Sequence, residues 1–304
     1  MNNGKVDWHG SYVAVVTPFR ESGEIDDAAF RQNIEFLLEQ GADGVVVSGC
    51  TGESWALSAD ERLRLFGAAV ETVAGRGPVI AGTGGVSTQA VIDLSVSARA
   101  AGAAGVMVLP PYYCMAGRRE VMEHYRAISD QARVPILLYN IPRRTGFNMT
   151  PAFLDELVGI EWIVAIKESS NDFIQTAETI QAVGDRINVF TGHSAERAVP
   201  ALLMGAKGYV SSMESQIMGR DAIEMFDVVA AGDLADARDR QHRTLALDQR
   251  MRKVGTFPAN LKAAMNLLGR RGGYPRRPLL PLTKPEVEQV REVLAGLNVA
   301  PMAV

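Results

Sequence analysis

Eight short apolar segments alternate with longer amphipathic segments along this chain, and this alternation limits the fold more than any other feature. The apolar segments are continuously hydrophobic, as expected for strands of a parallel sheet that helices cover on both faces. They span residues 11–19, 44–49, 78–84, 105–111, 135–142, 161–169, 188–193 and 208–212. The sequence therefore predicts a closed (β/α)8 barrel, with a doubly wound open sheet as the alternative.

Helices are predicted between the strands, at 26–40, 58–73, 87–101, 119–131, 150–158, 172–183 and 195–204. Ser58 and Glu61 have the spacing of a capping box, and Thr150 places a hydroxyl just before a first-turn proline. After residue 232 the pattern is only helical, over 234–250, 260–268 and 284–297. We therefore expect a catalytic barrel domain at 1–231 and a small C-terminal helical domain at 232–304.

Composition is that of an ordinary globular protein and argues against several classes of partner. The chain has 304 residues, of which 47% are hydrophobic, and a formal net charge of -4. This charge gives no reason to expect a nucleic acid or an anionic membrane as a partner. No apolar run approaches the length of a membrane span, and the N-terminus lacks the organisation of a signal peptide, so we expect a cytoplasmic location.

Cysteine and histidine are too sparse to indicate a disulfide framework or a metal centre. Cys50 and Cys114 are the two cysteines of the sequence, and they are far apart. The four histidines show no spacing typical of metal ligands; they are His9, His124, His193 and His242. We therefore expect neither a metal nor another cofactor.

Lys167 ends the apolar run WIVAIKESS, in the sixth predicted strand. Barrel enzymes carry their reactive groups at the C-terminal ends of the strands. Counting by twos, Ile163, Ala165 and Lys167 share one face, so the amine points into the barrel if the other two do. Burial would favour the neutral amine, which attacks a ketone to form a Schiff base. The alternative is a lysine whose amine extends from the strand end into solvent.

Three further residues near predicted strand ends suit a reaction on a keto acid. Tyr139 places a phenol at the end of strand five, where it is able to exchange protons with an adduct on the lysine. Thr51 lies in a turn of small residues whose N–H groups suit a carboxylate, and Arg144 suits bidentate capture of a second carboxylate. Each also has a structural explanation: a buried aromatic, a turn without a ligand, and a surface arginine.

Five motifs, in this order, resemble those of the dihydrodipicolinate synthase/N-acetylneuraminate lyase family. They are SGCTGES (48–54), PPYY (110–113), YNIPRRTG (139–146), IVAIKES (163–169) and FTGHS (190–194). The resemblance continues through the C-terminal segments 258–269 and 278–294. It implies a barrel that assembles as a homotetramer, a dimer of dimers, and that forms an imine between a strand-six lysine and pyruvate or another 2-keto acid.

The resemblance also implies roles for individual residues. Lys167 corresponds to the Schiff-base lysine, Tyr139 to the proton-transferring phenol, and Thr51 to the residue that binds the keto-acid carboxylate. Tyr113 resembles the tyrosine that reaches into a neighbouring subunit's site. Arg144 matches the arginine that receives the carboxylate of aspartate semialdehyde in the synthases. The expected function is therefore a synthase-like condensation of pyruvate with an aldehyde, aspartate semialdehyde.

Three positions depart from the synthase pattern and bear on the second substrate. Cys50 stands where synthases usually carry a threonine, so the catalytic proton relay would include a thiol, which hydrogen-bonds more weakly than a hydroxyl. His193, after Gly192, stands where an acidic residue is common, and Phe257 replaces a usual asparagine. We expect these three, together with Gly192 as a substrate-binding residue, to shape the substrate pocket. They favour a competing function, a 2-keto-3-deoxy sugar acid aldolase or dehydratase, and a non-catalytic keto-acid-binding paralogue is a further alternative.

Overall fold

Eight parallel strands pair in chain order and close into a barrel in a computed structural model of the chain, which describes residues 6–299. The strands are β1 (Gly10–Ala14), β2 (Gly44–Val47), β3 (Val79–Gly82), β4 (Gly105–Val108), β5 (Ile136–Asn140), β6 (Ile163–Glu168), β7 (Asn188–Thr191) and β8 (Gly208–Ser211). The barrel closes where β8 pairs with β1, with Gly208 opposite Gly10. The closed barrel is therefore confirmed over the open sheet.

Helices surround the barrel on its outside and follow its last strand. They are α1 (Asp27–Glu39), α2 (Ala59–Val73), α3 (Thr88–Ala100), α4 (Arg118–Ala132), α5 (Pro142–Thr145), α6 (Pro151–Leu157), α7 (Phe173–Val183), α8 (Ser194–Leu203), α9 (Met213–Met218), α10 (Arg220–Ile223), α11 (Met225–Ala230), α12 (Leu234–Met251), α13 (Ala259–Leu267) and α14 (Lys284–Ala295). The sequence pattern did not predict α5 or α9 to α11, all of which are short. None of the helices between residues 6 and 299 combines the length and apolar character needed to cross a bilayer.

Capping explains why the longer helices begin where the sequence predicted. The capping box at the start of α2 is present: the Glu61 N–H donates to the Ser58 hydroxyl at 3.1 Å, and the Ser58 N–H donates to the Glu61 carboxylate at 2.9 Å. At α6 the Thr150 hydroxyl accepts a hydrogen bond from the Phe153 N–H. These contacts satisfy N–H groups that have no partner within the helix.

Alternating side chains of the strands form two apolar layers. One layer fills the barrel interior, with Tyr12, Ile80 and Phe190 among its members. The other lies between the strands and the surrounding helices and includes Val13 and Val45. Because both faces of every strand are covered, the strands read as continuous apolar runs.

One irregularity in β6 sets the direction of its last residues. The pairing register between β5 and β6 shifts by one residue at Val164, which adds a residue to β6. As a result Ile163 packs in the outer layer, whereas Val164 and Ala165 pack inside the barrel. The expectation that Ile163 shares a face with Ala165 and Lys167 is therefore wrong. Beyond the shift Lys167 pairs with Tyr139, and both side chains line the barrel mouth.

The C-terminal helices share a core with the end of the barrel. Leu247 and Met251 of α12 and Leu261 of α13 pack with Met213 of α9 and with Val16, which follows β1. The proposed division at residue 232 therefore crosses a continuous apolar cluster, and it stays a prediction. The ends of the two predicted domains, residues 1–5 and 300–304, lie outside the described residues.

Candidate active site

A cavity of about 290 Å³ opens at the C-terminal ends of the strands, where the loops of this fold carry their functional residues. Seven of the nine predicted site residues line it: Cys50, Thr51, Tyr139, Arg144, Lys167, His193 and Phe257. These residues come from five different parts of the chain. The fold thus brings together most of the residues that the sequence singled out.

Lys167 is buried at the base of this cavity, beside Tyr139. Its side chain is 8% exposed, and its Nζ lies 4.5 Å from the centre of the Tyr139 ring. Burial lowers the pKa of Lys167 to about 8, although the neighbouring Cys50 and the Glu214 carboxylate oppose this shift. The lysine therefore does not extend into solvent. Lowering the pKa from 10.5 to about 8 raises the neutral fraction of the amine near pH 7 by roughly 300-fold.

Tyr139 connects the lysine to the β2 side of the cavity. Its hydroxyl lies 4.0 Å from the Cys50 sulfur and points toward it. Burial, together with the adjacent Cys50, holds the pKa of the Tyr139 phenol well above its usual value, while Arg144 acts in the opposite direction. The phenol consequently carries its proton at neutral pH and is available as a proton donor next to the amine.

The turn after β2 has a backbone conformation that presents Thr51 to the cavity. Ser48 and Glu53 both adopt positive φ angles, of 55° and 53°. Between them, a side chain at Gly52 would lie 3.2 Å from the backbone of Ser48, so the turn favours glycine there. The Thr17 hydroxyl donates a 2.8 Å hydrogen bond to the Gly52 carbonyl. The turn is therefore tightly held while Thr51 stays at the cavity wall.

A buried ion pair anchors the same turn to the C-terminal helices. The carboxylate of Glu53 pairs with the ammonium of Lys262 in α13, and the Arg276 N–H donates to the other carboxylate oxygen at 2.9 Å. The Lys262 Nζ also donates to the Thr17 carbonyl at 2.6 Å and to the Tyr274 carbonyl at 2.8 Å. Both charges are thus hydrogen-bonded on several sides, as buried charges must be.

A polar network outside the barrel holds the ends of β5 and β6 together. Asn140 and Glu168, the pair that directly follows Tyr139 and Lys167 in the register, are joined by a 2.7 Å hydrogen bond from the Asn140 amide to the Glu168 carboxylate. The Ser170 N–H donates to the same carboxylate at 2.6 Å. This network makes the strand ends rigid next to the amine.

The mouth of the cavity is cationic on the side of α5. Arg143 and Arg144 both line it, and the Arg144 guanidinium lies 5.6 Å from the centre of the Trp55 ring. His193 lies nearby, with its Nε2 at 3.3 Å from the Ser169 carbonyl. Burial, and then the charge of Arg143, lower the pKa of His193 to about 4, so the imidazole is neutral at physiological pH.

Two predicted residues do not line the cavity. Gly192 lies behind it, where a Cβ atom would come within 1.9 Å of the Ser169 hydroxyl, so its role in this chain is to leave room for that side chain. Tyr113 is 91% exposed, with a φ angle of 70°, on the loop between β4 and α4. The single chain does not bring Tyr113 to the site, and its contact with a neighbouring subunit stays a prediction.

Four charged lining residues were missed from the sequence: Arg143, Glu214, Asp248 and Arg252. Glu214 follows β8 by three residues, so the expectation that barrel strands carry functional groups at their ends would have found it. Asp248 and Arg252 form a 2.7 Å ion pair at positions i and i+4 of α12. In sequence such a pair is indistinguishable from one on a solvated helix surface.

Comparison with known proteins identifies the family of this chain. Residues 7–297 match the model of the dihydrodipicolinate synthetase family. A 4-hydroxy-tetrahydrodipicolinate synthase of Oceanobacillus iheyensis is 37% identical over 298 residues, 98% of each chain. An uncharacterized DapA-like lyase of Rhizobium meliloti is 38% identical over 97% of each chain.

Solved structures show the same similarity in three dimensions. A dihydrodipicolinate synthase of Thermotoga maritima superposes with a TM-score of 0.91 at 31% identity, over 97% of this chain and all of that one. A dihydrodipicolinate synthase of Acinetobacter baumannii, solved in complex with pyruvate, has a TM-score of 0.90 at 30% identity, over 96% and 99% of the two chains. The chain therefore belongs to the dihydrodipicolinate synthetase family.

Proposed function

We propose that this protein is a class I lyase or synthase in which Lys167 forms an imine with pyruvate. The observation that carries the proposal is the buried amine of Lys167 beside the protonated phenol of Tyr139, at the base of a cavity in the barrel mouth. A buried lysine next to a proton donor is the arrangement that imine chemistry requires. It also argues against a non-catalytic keto-acid-binding paralogue.

The neutral amine of Lys167 attacks the keto carbon of pyruvate, and the resulting carbinolamine loses water to give a protonated imine. The protonated imine nitrogen withdraws electrons from the neighbouring methyl carbon. This carbon loses a proton, and the adduct becomes an enamine. The enamine carbon then bonds to the carbonyl carbon of an aldehyde, whose oxygen takes up a proton. Hydrolysis releases the product and restores the amine. Tyr139, whose hydroxyl points toward the Cys50 sulfur, would give and receive these protons, and Cys50 would relay them.

The keto acid is proposed to bind between β6 and β2, which lie opposite each other in the barrel order. Thr51 and the N–H groups of its turn would hold the carboxylate of pyruvate. The similar Acinetobacter baumannii synthase was solved with pyruvate, which supports this choice of keto acid.

The first choice of second substrate is aspartate semialdehyde, which would make the reaction that of a 4-hydroxy-tetrahydrodipicolinate synthase. Arg144 lines the mouth, where it would receive the carboxylate of this aldehyde, and several relatives carry the name of that synthase. The second candidate, a 2-keto-3-deoxy sugar acid aldolase or dehydratase, is favoured by Cys50, His193 and Phe257, all of which line the cavity. A homotetramer is proposed from the family alone; one similar structure is described as a monomeric synthase variant.

Reductive trapping tests the proposed chemistry directly. The protein is incubated with pyruvate and borohydride, and peptide mass spectrometry then locates any added mass. We expect one reduced pyruvate on Lys167 per chain and none in Lys167→Ala. Lys207→Ala serves as the control, because Lys207 is exposed and does not line this cavity. Full trapping in folded Lys167→Ala would refute the assignment.

A further inference from the structure

Glu214 is a buried carboxylate in the cavity that neither the imine chemistry nor carboxylate binding uses. It lies in the first turn of α9, three residues after β8, and its side chain is 4% exposed. Its Oε1 accepts a hydrogen bond from the hydroxyl of Ser194, the first residue of α8. Among residues 6–299 no basic side chain forms an ion pair with it. A buried carboxylate held by one neutral donor retains acceptor sites that are unfilled.

The position of Glu214 places this acceptor on the side of Lys167 away from Arg144. In the barrel order, β5 leads into the arginines of α5, β6 carries Lys167, and β8 leads into Glu214. The cavity is therefore cationic on the side of α5, and beyond the amine it presents the Glu214 carboxylate together with the Asp248–Arg252 ion pair.

We propose that Glu214 is a specificity-determining residue that accepts a hydrogen bond from a donor group, an ammonium or a hydroxyl, on the second substrate. Glu214 selects for this donor, and an arginine of the cavity takes the carboxylate that stands on the same carbon. The inference deepens the proposed function and rests on it, since the second substrate reacts with the imine on Lys167. Aspartate semialdehyde supplies an ammonium, and hydroxylated aldehyde acids supply a hydroxyl.

Three four-carbon aldehydes that differ in one substituent test this role. Aspartate semialdehyde carries an ammonium, 2-hydroxy-4-oxobutanoate carries a hydroxyl at the same carbon, and succinate semialdehyde carries hydrogen only. Consumption of each is measured with pyruvate as kcat/KM. We expect the wild type to prefer at least one donor-bearing aldehyde over succinate semialdehyde by about tenfold or more, since a site built around a polar contact rejects analogues lacking it.

Two variants separate the charge of Glu214 from its hydrogen bonding. Glu214→Ala should lose whichever donor preference the wild type has, whereas Glu214→Gln should keep a preference for the hydroxyl and lose one for the ammonium. Pyruvate trapping on Lys167 should persist in both variants. The matched control is Glu224→Gln, because Glu224 also follows β8 but pairs with Arg220 outside the cavity.

The outcomes separate this inference from the function on which it rests. A wild type that traps pyruvate but consumes succinate semialdehyde as well as the other aldehydes, or consumes neither donor-bearing aldehyde, would overturn the role of Glu214 and leave the imine chemistry standing. An unchanged preference in Glu214→Ala would overturn it as well. If wild-type Lys167 traps no pyruvate, the proposed function fails and the inference fails with it.

Discussion

Lys262 and Glu53 form an ion pair in which the side chains are 1% and 0% exposed, and this pair joins α13 to the turn that carries Thr51. Burial lowers the pKa of Lys262 to about 8, against the opposing effect of the Glu53 carboxylate. The ion pair is therefore stabilised by the contact between its two charges and by the carbonyl groups that accept hydrogen bonds from Lys262. Its removal affects both the fold and the geometry of the turn.

Lys262→Met should destabilise the protein strongly, because it leaves the Glu53 carboxylate buried without its cation. Breaking one side of a buried pair costs about 3–5 kcal/mol. Chemical denaturation of the variant and the wild type measures this difference. The double variant Glu53→Gln/Lys262→Met should recover a large part of the loss, since it leaves no unpaired charge. A single variant as stable as the wild type would show that the pair contributes nothing.

Imine formation with pyruvate should accelerate as the pH rises through about 8, because the neutral amine of Lys167 is the nucleophile. The folded-state pKa is lower than that of an ordinary lysine, so the rate should level off above that pH rather than continue to rise toward 10.5. Trapping rates measured from pH 6 to about 10 give the profile. A rate that still increases tenfold per pH unit above pH 9 would show that burial does not lower the pKa of this amine.

Tyr139→Phe should slow proton transfer and leave the lysine in place, because the ring that packs against Lys167 is retained. Loss of a positioned acid or base typically lowers a rate by about 100-fold or more. Exchange of the pyruvate methyl protons with deuterium, followed by NMR, reports enamine formation directly. Tyr274→Phe is the control, because the ring of Tyr274 is partly exposed and does not line the cavity. Exchange at the wild-type rate in Tyr139→Phe would remove the phenol from the mechanism.

Cys50→Thr should raise turnover with aspartate semialdehyde if the protein is a synthase, since a hydroxyl relays protons to Tyr139 better than a thiol 4.0 Å away. Steady-state kinetics of the variant measure this, with Cys114→Thr as the control because Cys114 is exposed. An unchanged or lower rate would argue that the thiol serves another aldehyde.

The periodicity of the sequence was sufficient to predict the barrel, because its strands are buried on both faces and its helices begin at recognisable caps. The ten helices predicted between the strands and after residue 232 lie within two residues of their expected bounds. The short helices α9 to α11 were not predicted, since segments of four to six residues are too short to show a helical period. The register shift at Val164 was also not predicted, because it depends on the partner strand rather than on β6 itself.

Site residues on strand ends were predictable to the extent that a resemblance marked them. Lys167, Tyr139 and Thr51 each lie in a family motif at the end of a strand, and all three line the cavity. Asp248 and Arg252 reach it from a helix distant in sequence, so only the folded chain brings them there. Tyr113, which the resemblance assigned to a contact with another subunit, is exposed on this chain.

The position of α12 separates the residues proposed to react from other charged residues that line the cavity. Lys167 and Tyr139, the groups proposed to react, stand on barrel strands, whereas Asp248 and Arg252 belong to a helix packed beside the barrel. Substitutions along that helix are therefore expected to change which aldehyde is accepted while Lys167 and Tyr139 stay untouched. A library of α12 variants is therefore a natural starting point for the directed evolution of new carbon–carbon bond formation.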